Sequence, residues 1–90
     1  MPEKKKKMHL ATITIFVSDR KGLSASVNRI LTNNGRLIMA RLGVNVQRHC
    51  VQNCLALIVV AAEGTAKEID ALAKELNKLK GIKAKTCFLV

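Results

Sequence analysis

The sequence predicts a single α+β domain whose four strands and two helices run in the order βαββαβ. Three observations carry that prediction. Residues 9–17 and 38–46 alternate with a period of two, as strands do. Apolar residues recur at helical spacing through 23–31 and again through 69–79. Thr65 and Glu68 form a Thr-x-x-Glu capping box, the mark of a helix start.

The elements follow in chain order. From His9 to Val17, Ala11, Ile13, Ile15 and Val17 fall on one side; Leu10, Thr12, Thr14 and Phe16 fall on the other. Ser18 to Gly22 is polar and reads as a loop. Leu23, Val27, Ile30 and Leu31 form the apolar stripe of the first helix. Asn33, Asn34 and Gly35 stop it, being residues that accept the left-handed conformation at a helix end. In the second strand Ile38, Ala40, Leu42, Val44 and Val46 form an apolar face, and Met39, Arg41, Gly43 and Asn45 a mixed one. Gln47 to Gln52 turns the chain. Cys54 to Ala62 is a third strand, apolar on both faces, and Gly64 ends it. Ile69, Leu72, Ala73, Leu76 and Leu79 stripe the second helix, where Asp70 and Lys74 have the spacing of a surface ion pair. Gly81 closes that helix and Ile82 to Val90 is the fourth strand.

This order is the ferredoxin-like arrangement. Right-handed crossovers put both helices on one face of a four-stranded antiparallel sheet, with strands 1 and 3 in the centre. The other face is then open. It would carry Leu10, Phe16 and half of the apolar run Leu55–Ala62. The strands of an open sheet in a monomer should alternate apolar and polar residues, and strand 3 does not; a large exposed apolar patch marks an interface. Self-association to a dimer or tetramer is expected, through the open face or the strand edges.

Composition narrows the function. The 90 residues include 16 basic and 6 acidic side chains, a formal charge of +10, with 49% hydrophobic residues. That is enough to build a core. The only aromatic residues are Phe16 and Phe88, which argues against a base-stacking platform for single-stranded nucleic acid. No apolar run approaches the roughly 20 residues of a membrane span. Lys4–Lys7 could imitate the basic start of a secretion signal, but Arg20, Lys21 and polar residues follow too soon and no small-residue cleavage site stands out, so the expected location is cytoplasmic. Three cysteines, an odd number, fit reduced thiols. Residues 1–50 carry +8 and residues 51–90 carry +2. The expected organisation is a flexible basic tail over 1–7 and a folded domain over 8–90. The tail reads either as solvated chain or as an electrostatic contact with nucleic acid, and composition alone leaves both open.

No catalytic residues are expected. Glu3, Asp19, Glu63, Glu68, Asp70 and Glu75 include no pair spaced for acid–base work, and Ser24 and Ser26 lack a nucleophile-elbow context. Phosphate-loop and dinucleotide fingerprints are missing from the sequence. His9, His49, Cys50, Cys54 and Cys87 are the possible metal donors. Cys54 with His49 or Cys50 is the candidate set, suited to weak zinc binding if the turn bends. The alternative is that Cys54 and Cys87 are small apolar residues packed in buried strands. Asp19-Arg20-Lys21-Gly22-Leu23 joins the first strand to the first helix, where free N–H groups can receive an anion. Asp19 can equally be an ordinary helix cap. Gly22 permits close approach or an unusual dihedral.

Asp19-Arg20-Lys21-Gly22-Leu23 resembles the Asp-Arg-Pro-Gly-x-Leu loop of ACT domains, which are regulatory modules that sense small molecules; Lys21 stands at the usual proline. Within that group the chain is similar to the iron-only hydrogenase system regulators. The likeness runs through Leu37-Ile38-Met39-Ala40-Arg41-Leu42-Gly43-Val44, Glu68 to Leu76 and Leu79-Lys80-Gly81-Ile82. It implies an ACT-like, non-enzymatic regulatory domain. Asn53-Cys54-Leu55 also resembles the C-terminal domain of nickel-responsive repressors. There the matching cysteine binds square-planar nickel with histidines, but Gly43, Asn45 and Thr32 stand at the histidine positions here. Tight nickel binding is therefore not expected. Hairpin pairing would set Asn45 opposite Cys54 and keep the pocket. The resemblances together imply a small-ligand site at Asp19, Arg20, Gly22, Leu23, Gly43 and Asn45, against a neighbouring subunit. The alternatives are a metal sensor using Cys54, His49 and Cys50, or a basic nucleic-acid-binding protein.

Overall fold

The computed structural model describes residues 7–45 and 55–90. The elements are β1 (His9–Val17), α1 (Arg20–Asn33), a single 3-10 turn (Gly35–Leu37), β2 (Ile38–Asn45), β3 (Ala56–Gly64), α2 (Ala66–Asn77) and β4 (Ile82–Phe88). The strands form one antiparallel sheet in the order β2-β3-β1-β4, so β1 and β3 are central, as the crossover argument predicts. Both helices cover one face.

The buried layer is built by the predicted periodicities. Ala11, Ile13, Ile15 and Val17 of β1 and Ala56, Val60 and Ala62 of β3 turn inward with Ile82 and Ala84 of β4. Val27, Ile30 and Leu31 of α1 and Ile69, Leu72 and Leu76 of α2 close over them. Each large side chain fully buried here contributes about 1.5–3 kcal/mol. Leu23, Ile38, Ile58 and Leu79 seal the margin. The capping box of α2 forms as predicted: the Glu68 backbone N–H donates to the Thr65 hydroxyl, and Glu68 Oε1 accepts from the Thr65 N–H.

Several local expectations are corrected. Helix α1 begins at Arg20, so most of the predicted Ser18–Gly22 loop is its first turn. Its end is not left-handed: Asn34 has φ −108° and ψ 23°, and its side-chain amide donates to the Ile30 carbonyl at 2.8 Å. The glycine that takes a left-handed φ is Gly81, at +91°. A Cβ there would also lie 2.7 Å from Ser18 Oγ and 3.0 Å from Leu23 Cδ1. In β2 a bulge between Ile38 and Ala40 breaks the alternation. Ile38 pairs with Ala62 on the helix side, whereas Ala40 and Leu42 pair with Ala61 and Val59 on the open side. Asp70 and Lys74 stay exposed and form no ion pair among the described residues; the bridge that closes is Arg36–Glu68 at 2.9 Å. An exposed helix pair offers too little to fix two long side chains. Strand β4 ends at Phe88, two residues short of the predicted end.

Candidate functional site

The predicted ligand residues gather at one end of the sheet. Val17 ends β1 opposite Ala56, and Ala56 stands opposite Asn45 at the end of β2. Asp19 follows two residues after Val17, so the α1 start and the β2 end share this edge of the fold. Asp19 is the N-cap of α1: its backbone is extended and its carboxylate accepts from the Gly22 N–H at 3.2 Å. A Cβ on Gly22 would lie 2.6 Å from the Asp19 carboxylate, so close approach explains this glycine and an unusual dihedral is not needed. Leu23 packs against the core. Arg20 lies in the helical first turn beside Lys21. Gly43 sits opposite Ile58 in the helix-side row of β2, with open space where a side chain would stand. Beside it the Arg41 guanidinium donates to the side-chain amide oxygen Oδ1 of Asn28 on α1.

The metal candidates Cys54, His49 and Cys50 lie outside the described residues. The register nevertheless corrects the pairing expected for Asn45: its partner is Ala56, not Cys54. The ladder set by the bulge and by the long β1–β3 pairing overrides a register counted from the turn. Among the described residues there is no cluster of three metal-ligating side chains. Cys87 is exposed and pairs with Thr12 on the open face, which corrects the reading of a buried, packed cysteine.

The open face is the larger feature. Thr12, Thr14 and Phe16 of β1 lie in register with Ala61, Val59 and Leu57 of β3. Ala40 and Leu42 extend the surface onto β2. Thr12, Ala40, Arg41, Leu42, Val59 and Ala61 line a shallow, open depression of about 320 Å³. Leu10 is 38% exposed, Phe16 37% and Leu42 63%. Charge enters at the margins, with Glu63 opposite Leu10 and Lys83 and Lys85 opposite Phe16 and Thr14. The sequence names Leu10, Phe16 and the β3 half of this surface. It does not assign Ala40 and Leu42, because the bulge that turns them outward leaves no periodic signal.

Glu68 carries the electrostatic feature of the helix layer. Its carboxyl is held below the ordinary value, first by the Thr65 backbone N–H, then by the Thr65 hydroxyl and more weakly by Arg36; partial burial opposes them. The group joins α2 to the 3-10 turn that leads into β2. Asn34 makes a second tie, donating to Glu75 Oε1 at 3.3 Å.

No helix among the described residues is long and apolar enough to cross a membrane. Known structures match the fold. The uncharacterized protein TM1266 from Thermotoga maritima superposes with a TM-score of 0.82 at 28% identity, over 93% of this chain and all of that one. The ACT domain of GTP pyrophosphokinase from Chlorobium tepidum gives 0.67 at 13% identity, over 89% and 86% of the two chains. CPII from Thiomonas intermedia, a nitrogen regulatory PII-like protein solved with ADP, AMP and bicarbonate, gives 0.59 at 11% identity, over 93% and 97%. The last two share the fold alone. No curated protein matches the sequence. A family model described as "TM1266-like: Iron-only hydrogenase system regulator, putative" matches residues 9–86. That match spans β1 and both helices and reaches well into β4, so the chain belongs to the TM1266-like family of iron-only hydrogenase system regulators.

Proposed function

We propose that this chain is a non-enzymatic, cytoplasmic regulatory module that assembles with copies of itself and senses a small ligand within an iron-only hydrogenase system. The observation that carries the reading is the open sheet face, where Phe16, Leu42, Leu57, Val59 and Ala61 form a continuous apolar surface in a two-layer fold. Such a surface in water marks an interface. It is open and lies on three adjacent strands, so a second copy turned by a twofold axis offers the same patch in return. Lys83 and Lys85 then fall at the rim, where like charges stay hydrated.

The ligand part of the proposal rests on the sheet end where Asp19 caps α1 and β2 finishes at Asn45, with open space above Gly43. Sedimentation of the full chain at micromolar concentration tests the assembly. A dimer or tetramer is expected, and a 9.9 kDa monomer alone overturns it. Thermal shift with free amino acids and nucleotides tests the site. A ligand that raises the melting temperature of the wild type but not of Asn45→Ala supports it, and no response to either class removes it. Hydrogenase maturation genes beside this gene would support the setting.

A further inference from the structure

Across the strands, the open face is ordered in rows that differ in bulk. Cys87, Thr12, Ala61 and Ala40 stand side by side on β4, β1, β3 and β2. One step along the strands, Lys85, Thr14, Val59 and Leu42 form the next row. Lys83, Phe16 and Leu57 lie beyond that row, and Leu10 with Glu63 lies at the other end of the face. Successive rows are about 6.6–7 Å apart. The Thr12 row is small on the β3–β2 side, where Ala61 and Ala40 line the depression of about 320 Å³. The Thr14 row is large there: Leu42, 63% exposed, stands beside Val59 at the same depression. Charge varies in the other direction. Lys83 and Lys85 stand on β4, whereas Ala40 and Leu42 present only apolar side chains on β2.

These two gradients decide how a second copy fits. Sheets that pack face to face with aligned strands leave two choices of twofold axis in the plane between them. An axis along the strands lays β4 of each copy over β2 of the other. Lys85 then covers Leu42 of the second copy, which desolvates an ammonium against an apolar side chain. An axis across the strands lays each strand over its own counterpart, running the opposite way. The β4 lysines stay at one margin, and the apolar strands meet each other. Glu63 falls on an apolar residue under both axes, Leu10 under the first and Leu57 under the second, so it does not decide between them.

Side-chain size then places the axis. Centred on the Thr12 row, it sets Ala40 on Ala40 and Ala61 on Ala61 and leaves a void. Centred on the Thr14 row, it sets Leu42 on Leu42 and Val59 on Val59, bulk against bulk. Midway between them, Leu42 of each copy faces Ala40 of the other, and Val59 faces Ala61. Thr12 then meets Thr14, polar against polar, and Leu10 meets Phe16. Pairing large with small is how two faces interdigitate at the density of a protein interior.

We infer that two copies of this chain join about a twofold axis running across the strands between the Thr12 and Thr14 rows, with Leu42 of each seated in the depression of the other. This rests on the self-association proposed above and specifies its register and the residues that select an identical face. Because the paired strands run in opposite directions, the two Asp19–Asn45 ends point away from each other. Leu10 of one copy lies over Phe16 of the other, just ahead of the Ser18–Asp19 connection. The second copy thus reaches the sheet end that carries the candidate ligand site.

The test exchanges knob and hole, with sedimentation equilibrium of the full-length chain as the readout. Leu42→Ala leaves the depression empty, and Ala40→Leu sets leucine against leucine. Each should weaken assembly by about tenfold or more. The exchange variant Ala40→Leu/Leu42→Ala returns a leucine–alanine pair to every such contact and should assemble within about threefold of wild type. An equimolar mixture of the two single variants should associate more tightly than either alone, because each leucine of one then meets an alanine of the other. Both positions are exposed in a single copy, and circular dichroism establishes that each variant keeps the fold. Losses that simply multiply in the exchange variant overturn the register while leaving self-association in place. So does an Ala40→Leu variant that assembles more tightly than wild type, or a mixture no tighter than its components. A wild type that sediments only as monomer removes the self-association itself, and the register with it.

Discussion

Replacing Leu42 with glutamate separates assembly from folding. Leu42 is 63% exposed on the open side of β2, so its side chain contributes little to the core of one copy. Burying a whole leucine side chain is worth about 1.5–3 kcal/mol, so covering the exposed part is worth about 1–2 kcal/mol. A twofold interface uses the residue twice, for about 2–4 kcal/mol. That corresponds to a weakening of about 30- to 700-fold at 1.4 kcal/mol per tenfold. Desolvation of two introduced carboxylates adds to the loss. Sedimentation equilibrium over a concentration series should show wild type assembled and Leu42→Glu shifted towards monomer. Circular dichroism should show the same secondary structure for both. An unchanged assembly constant in the folded variant refutes an interface on this face. Leu57→Glu, half-buried on the same face, should also dissociate the assembly rather than unfold the chain.

Asn77→Ala removes both bonds to Ala84 and should cost about 1–3 kcal/mol in urea unfolding; an unchanged midpoint denies the clamp. Glu68 has its folded-state pKa below the ordinary 4.5, so its contribution is complete above that pH and is lost as pH falls through the lower folded value. Stability of Glu68→Gln should therefore depend less on pH below about 4.5 than wild type, and parallel acid-unfolding curves would show that the capping carboxylate plays no such part. Deleting residues 1–7 removes four lysines and one glutamate, a charge change of −3, and should leave the melting temperature nearly unchanged; a large drop means that the segment docks on the domain. Titration of reduced protein with nickel should show no tight binding, and Cys54→Ser should behave as wild type. Stoichiometric submicromolar binding that depends on Cys54 would replace the regulatory reading with a metal sensor.

The sequence by itself determined the element order, the inward residues of β1 and α2, and the Thr65–Glu68 box, because each depends on side-chain periods or on contacts three residues apart. It also implied the topology, since short right-handed connections leave few ways to join these elements. Asp19 as a cap was legible as one of two readings, and the Gly22 contact shows why that turn needs a glycine. Tertiary structure decided the rest. The β2 bulge sends Ile38 inward and Leu42 outward, although both belong to one alternating series. Pairing with Ala56 rather than Cys54 was fixed by ladders between strands distant in sequence. The same placement exposed Cys87 beside Thr12. Asn77 resembles any surface asparagine until α2 packs and brings Ala84 to its amide, seven residues on. Local patterns record which way a side chain prefers to point. Which strand it meets, and at what offset, is set only when the whole sheet closes its hydrogen bonds and the helices bury one of its faces.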